Sequence, residues 1–145
     1  MIPVCEMKIQ LMKNITKFNA KLAKELQADQ YGMSKYIIAL LKKSSKRNHD
    51  SQSAEKLQKA HLENIGRLLK KSKFVLAVPF LDDDEIRGVY IFNVETIEEA
   101  KTLTESDPVV KAGRLVVELH SWYGSAALKQ LSDLHESISK GDITL

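Results

Sequence analysis

The sequence predicts an α+β protein built on one antiparallel sheet, with two helices on one face of it. Three observations predict this. Short runs rich in β-branched and aromatic residues alternate with longer segments whose apolar residues recur every three or four positions. The core elements follow in the order strand, helix, strand, strand, helix, strand, the order of a ferredoxin-like βαββαβ sandwich. The 145 residues, 43% apolar and 28% charged, suit a single buried core.

The elements can be justified in turn. Residues 7–27 predict an amphipathic helix, because Leu11, Ile15, Phe18, Leu22 and Leu26 share one face, with Gly32 as its stop. "KYIIALLK" (35–42) is the first strand and "KSSKRNHDSQ" (43–52) a polar loop. Ser53 is placed to cap the next helix, which runs to about Lys71 on a stripe of Leu57, His61, Ile65 and Leu68, widened by Leu62 and Leu69. "KFVLAVPF" (73–80) is the second strand, with Pro79 near its end or on an edge, and "GVYIFNV" (88–94) pairs with it across the turn "LDDDEIR". Thr96 and Glu99 form a capping box that opens the helix "IEEAKTLTES". Asp107, Pro108 and Gly113 suit the cap, first position and exit of one short helical turn. "RLVVELH" (114–120) is the fourth strand, and residues 126–139 read as a last helix on Leu128, Leu131, Leu134 and Ile138, closed by Gly141. The expected organisation is an N-terminal helical extension (1–34), a core domain (35–124) and a C-terminal helical extension (125–145).

The strands do not alternate apolar and polar as a half-solvated sheet should. Ile37, Ala39 and Leu41 point one way, while Tyr36, Ile38 and Leu40 point the other. Two helices cover one face, so the other needs a cover too. A second copy of the chain packed sheet to sheet is the simplest one, with the terminal helices as competitors.

Composition narrows the functional classes. A net charge of +3, with 22 basic and 19 acidic residues, gives no charge argument for a nucleic-acid or membrane partner. The basic run "KKSSKR" (42–47) lacks interleaved aromatics and reads as a solvated loop. Cys5 is the single cysteine, and the histidines at 49, 61, 120 and 135 lack metal-ligand spacing, so no metal site is expected. There is no G-x-G-x-x-G, P-loop or H-E-x-x-H pattern, and no nucleophilic serine motif; no cofactor is expected. Lysines at 8, 13, 17 and 21 interrupt the N-terminal apolar residues. That argues against a signal peptide, and no run is long enough to span a bilayer. A cytoplasmic location is the expectation.

Two sets of residues stand out. His61 lies in the buried stripe of its helix, where it reads either as a core histidine satisfied by a neighbour or as a general base. Asp107, before Pro108, is explained by capping. His120, Trp122 and Tyr123 cluster at the end of the fourth strand, where they either line a pocket for a planar small-molecule ligand or pack the strand end against the following helix.

The stretch from Tyr36 to about Gly124 resembles the YciI-like (YCII-related) family. The resemblance rests on "AHLENIGRLLKKSKFVLAVPFLDD", on "GVYIFNVETIEEAKTLTESDPVVKAG" and on a closing strand that ends near a tryptophan. It implies a dimeric α/β-barrel arrangement, hence a homodimer, and an active-site pair matching His61 and Asp107. The family includes a dehydrochlorinase, so the implied activity is cofactor-independent, lyase-type acid–base chemistry on a small, aromatic or oxygenated substrate. The alternatives are a small-molecule-binding or protein-interaction module without turnover. The chain departs from the family pattern at Val78, where glycine is usual, and at Val109, where phenylalanine is frequent. A side chain at 78 is expected to narrow any nearby pocket. If the pair works, His61 should reach Asp107 and open one ring nitrogen on a cavity.

Overall fold

A computed structural model describes residues 6, 17–45 and 50–141. Four strands, β1 (Met33–Lys43), β2 (Phe74–Pro79), β3 (Ile86–Phe92) and β4 (Leu115–Ser125), form one sheet in the order β2-β3-β1-β4. Every neighbouring pair is antiparallel. Helices α2 (Ser51–Lys70) and α3 (Ile97–Glu105) form the two crossovers, and a single turn, α4 (Pro108–Lys111), follows α3. The fold is the ferredoxin-like α+β sandwich that the element order predicts.

Pairing moves several boundaries. β1 and β4 match residue for residue from Met33 opposite Ser125 to Lys43 opposite Leu115. The fourth strand therefore runs on through "SWYGS", and β1 starts two residues earlier than its composition suggests. β3 begins at Ile86 because Ile86 pairs with Lys42. The cap of α2 is Asp50, whose side chain accepts the Ser53 N–H at 2.7 Å, rather than Ser53. Thr96 caps α3 as predicted, accepting the Glu99 N–H at 3.1 Å, but the Glu99 carboxylate pairs with Lys73 at 3.2 Å.

Of the predicted N-terminal helix, residues 7–16, with Leu11 and Ile15, lie outside the described residues. The described remainder is shorter than predicted: α1 (Ala20–Glu25) starts at an Asn19 cap, which takes the Leu22 N–H at 3.0 Å. Phe18 lies outside it and is exposed. The stop is Gln27 at φ 54, not Gly32. Ala28 donates to the Ala23 carbonyl and Gln27 to that of Lys24, the paired bonds of a Schellman ending. α2 ends in the same way on Ser72 at φ 56, and α4 on Gly113 at φ 75.

The main core lies between the sheet and the helices. Ile37, Ala39, Leu41, Phe74, Tyr90 and Phe92 from the strands meet Leu68 of α2 and Ala100 of α3. Each large apolar side chain buried there contributes roughly 1.5–3 kcal/mol. A smaller cluster on the opposite face joins Tyr36, Val75 and Ile91 to Ile38, Leu76, Val89 and Leu128. The last of these belongs to the chain's own C-terminal segment. The single helix predicted for 126–139 is instead a 3-10 turn (Ala126–Gln130) followed by α5 (Leu131–Ile138). Leu128 packs on the sheet, but Leu134 and Ile138 stay exposed. The segment is fastened by Lys129, whose ammonium donates to the Leu26 carbonyl at 2.7 Å and to the Ser34 hydroxyl at 3.0 Å. Burial there pushes the Lys129 ammonium below its ordinary pKa. The second face is thus closed in part by the chain itself, while Val78 and Val116 remain exposed. No described helix is long and apolar enough to cross a membrane.

Candidate active site

Three elements converge between the helices and the sheet. His61 sits in the middle of α2, on the face its apolar stripe turns to the core. Asp107 stands at the corner between α3 and α4. Its backbone N–H closes α3 on the Thr104 carbonyl at 3.1 Å, and its side chain opens α4. Asp-Pro fixes this corner because proline at the first helical position has no N–H to satisfy and an aspartate before it can accept the next one. Tyr90 comes from β3, on the same face as Phe92.

The His61 Nδ1 lies 2.7 Å from the Asp107 Oδ2, with side-chain exposures of 11% and 2%. The other carboxylate oxygen accepts the Val109 N–H at 2.9 Å. One carboxylate therefore serves the imidazole and the helical turn together. An Nδ1–H donating to the carboxylate leaves Nε2 as the acceptor nitrogen. The Tyr90 hydroxyl stands 3.3 Å from Nε2 and 3.4 Å from the Asp107 Oδ2, within reach of either as donor. Burial first, and then the Asp107 charge, push the Tyr90 hydroxyl far above its ordinary pKa, so it remains a protonated donor. Its ring is clamped by Phe74 at 4.7 Å and by the edge-on ring of Phe92 at 5.9 Å.

One helical turn beyond His61, Asn64 is 5% exposed, and its Oδ1 accepts the Arg67 guanidinium. A cleft of about 390 Å³ opens here, walled by Ala60, Glu63, Asn64, Arg67, Ser106 and Pro108. These residues flank both members of the pair. His61 itself is not on the cleft wall, and its Nε2 is turned to Tyr90. The Tyr90 hydroxyl, 3.3 Å away, is the group that faces this nitrogen.

His120, Trp122 and Tyr123 are not brought to this pair. His120 and Trp122 lie opposite Ile38 and Tyr36 in the register, on the far face of the sheet. His120 is exposed and bonds Glu118 at 2.7 Å, and Trp122 tilts against Tyr36 at 5.8 Å. The Lys42 ammonium and the His120 ring together hold the Glu118 carboxyl below its usual range. Tyr123 donates to Asp29. All three are members of β4, and alternation sends His120 and Trp122 to one face of the sheet and Tyr123 to the other. Val78 also corrects an expectation: it pairs with Val89 on the far face and is exposed, so it narrows nothing beside His61. Val109 is buried next to the corner.

Tyr90 and Asn64 were not singled out by the sequence. Each carried a signal, a tyrosine on the buried side of a period-two strand and an amide three residues from His61 on the same helix. Among the described residues, no group of three or more His, Cys, Asp or Glu could hold a metal ion.

No curated protein matches the chain. Among solved structures it is similar to the 5-chloro-2-hydroxyhydroquinone dehydrochlorinase TftG from Burkholderia phenoliruptrix AC1100, determined in complex with 2,5-dihydroxybenzoquinone. The identity is 23% and the TM-score 0.46, covering 59% of this chain and 92% of that one. The YCII-related domain model matches residues 35–122, from the third residue of β1 to Trp122 in β4, and takes in α2 and the Asp-Pro corner; the chain belongs to the YCII-related family.

Proposed function

We propose that this protein is a cofactor-independent enzyme that moves a proton on a small oxygenated substrate, with His61 as base and Asp107 as its orienting carboxylate. The observation that carries this is the buried 2.7 Å contact between Nδ1 and the carboxylate. A carboxylate on Nδ1 fixes the tautomer that presents a lone pair at Nε2, and it stabilises the imidazolium formed when Nε2 accepts a proton. Tyr90 is a positioning residue in this scheme. Its hydroxyl can turn from Nε2 to the Asp107 Oδ2, a change of acceptor between 3.3 and 3.4 Å, which frees the nitrogen for substrate. In a lyase-type step His61 takes a proton from carbon, the C–H electron pair forms the new double bond, and the leaving group departs with its own pair.

The test is His61→Gln, assayed on a substrate found by a metabolite thermal-shift screen. Turnover should vanish while the melting temperature changes little. Undiminished turnover would refute the assignment.

A second reading, ligand binding without turnover, is favoured by one observation: His61 is not on the wall of the neighbouring cleft. Binding that survives in His61→Gln, with no turnover in either protein, would establish it. Two copies of the chain are proposed to pair through the sheet face away from the helices. The exposed Val78 and Val116 and the apolar Leu40 and Val89 support this. Light scattering should then give twice the 16.4 kDa chain mass, and Val116→Lys should return the protein to a monomer.

A further inference from the structure

We propose that the cleft between α2 and the α3–α4 corner binds the carboxylate group of a small organic acid, through the Arg67 guanidinium and the Asn64 side-chain amide. This names the substrate class and rests, for its bearing on catalysis, on the acid–base reading above. Asn64 carries the argument. It is 95% buried by its 5% exposure, and it lies on the cleft wall. Its Oδ1 is occupied by Arg67, so its amide NH2 group is turned elsewhere. That group donates to no protein atom among the described residues. A buried donor without a partner is costly, and a ligand oxygen in the cleft would satisfy it.

The second observation is charge. Arg67 pairs with no carboxylate among the described residues. A second, larger cleft of about 530 Å³ adjoins the first, sharing Glu63 and Arg67 and continuing to Gly66, Lys70 and Lys71. The joined walls thus carry Arg67, Lys70 and Lys71 against Glu63 alone. A guanidinium offers a planar fork that matches a carboxylate. Asn64 and Arg67 stand three and six residues beyond His61, and Ser106 and Pro108 flank Asp107. An acid anchored here lies against the residues that carry the pair. The Ser106 hydroxyl is already committed to the Leu103 carbonyl at 2.6 Å and is no part of the anchor.

Benzoate is the probe, with benzamide as its neutral counterpart. Titrated into the 15N-labelled protein, benzoate should shift the Asn64 side-chain amide resonance, identified by its absence in Asn64→Leu. Arg67→Met should weaken benzoate binding about ten- to hundredfold, the loss expected for a charged hydrogen bond, and Arg67→Lys should restore part of it. Arg67 is exposed, so its truncation opens no core cavity, but Arg67→Met leaves the buried Asn64 Oδ1 without its partner; a melting curve of each variant checks that the fold is kept. Glu63→Gln should tighten binding, and Lys24→Met, which removes an equal charge on α1, should leave it unchanged. His61→Gln should leave benzoate affinity intact, which separates this proposal from the acid–base one. Three results would overturn it: no binding in the millimolar range, equal affinity for benzamide, or an affinity indifferent to Arg67→Met. Turnover that needs His61 but whose KM ignores Arg67→Met would overturn it while leaving the acid–base reading standing.

Discussion

Replacing Asp107 by asparagine removes the carboxylate but keeps its size. The asparagine oxygen can still take the Val109 N–H, held at 2.9 Å in the native corner, so the cap, worth about 1 kcal/mol, survives. The other terminal atom becomes an NH2 group facing Nδ1, and two donors then meet at the native separation of 2.7 Å. The imidazole must change tautomer, which puts its proton on Nε2 against the Tyr90 oxygen. A charge-assisted bond worth about 1.5–3 kcal/mol becomes a neutral one of about 0.5–1.5 kcal/mol. Asp107→Asn should therefore cost about 1–2 kcal/mol at neutral pH. Asp107→Ala loses the cap as well and leaves the imidazole Nδ1 unpartnered, so it should cost about 3 kcal/mol. Urea unfolding of both variants, of His61→Gln and of the double variant His61→Gln/Asp107→Asn gives a double-mutant cycle. A coupling of about 1 kcal/mol is expected, against an additivity error of about 0.3–0.5 kcal/mol. A coupling of zero, or an Asp107→Ala cost no larger than a cap alone, would refute the shared role of this carboxylate.

Tyr90→Phe should alter the alkaline limb of the stability profile. The buried hydroxyl is held neutral above its ordinary value of 10.0, so its contribution is complete below that pH and is lost as the unfolded chain ionises above it. The variant should lose less stability above pH 10 than the native protein, by pH-dependent unfolding; an unchanged slope would contradict the burial of Tyr90. Gly124→Ala should cost about 1–3 kcal/mol, because a Cβ there would run into the Trp122 indole. Trp122 is the single tryptophan, so its emission should shift as the ring is displaced, and an unchanged spectrum would count against the packing. Ser72→Gly should stabilise the protein by about 0.5–1 kcal/mol, since Ser72 holds a left-handed conformation at φ 56 that glycine adopts without strain. Thermal unfolding measures it, and a lower melting temperature would show that the Ser72 side chain does more than occupy the turn.

The parts of the fold that were legible are those set by neighbours in sequence. Thr96 before Glu99 and Asp107 before Pro108 are local signals, and both cap their helices in the structure. The order of elements sufficed for the sheet topology because a βαββαβ chain has few ways to close. What was not legible depends on partners far away. Residues 121–125 carry weak strand composition, yet they are held in β4 by β1, about ninety residues earlier. Asp50 rather than Ser53 is the cap because its carboxylate, one turn earlier, accepts the N–H of Ser53 itself, which is already inside the helix. The far side of the sheet kept its two-faced composition because Leu128 of the chain itself covers part of it. At the site, the apolar stripe singled out His61 and the family resemblance paired it with Asp107, whereas Tyr90 and Asn64 needed the tertiary structure. A strand tyrosine and a helix asparagine show their roles only when the elements bearing them are packed together.

The corner at Asp107 has a consequence for how such chains diverge. Its two oxygens answer to different demands, one from the α4 backbone and one from a side chain on α2. A descendant that abandoned the reaction would still fold less well without this aspartate, and the histidine beside it would lose its buried partner. Purifying selection for a folded chain alone is enough to keep both letters in place. Among relatives of this protein, the fate of the pair therefore records folding as much as chemistry. Substitution at Asn64 and Arg67, which wall the cleft but cap nothing, is the more sensitive trace of a changed or vanished ligand.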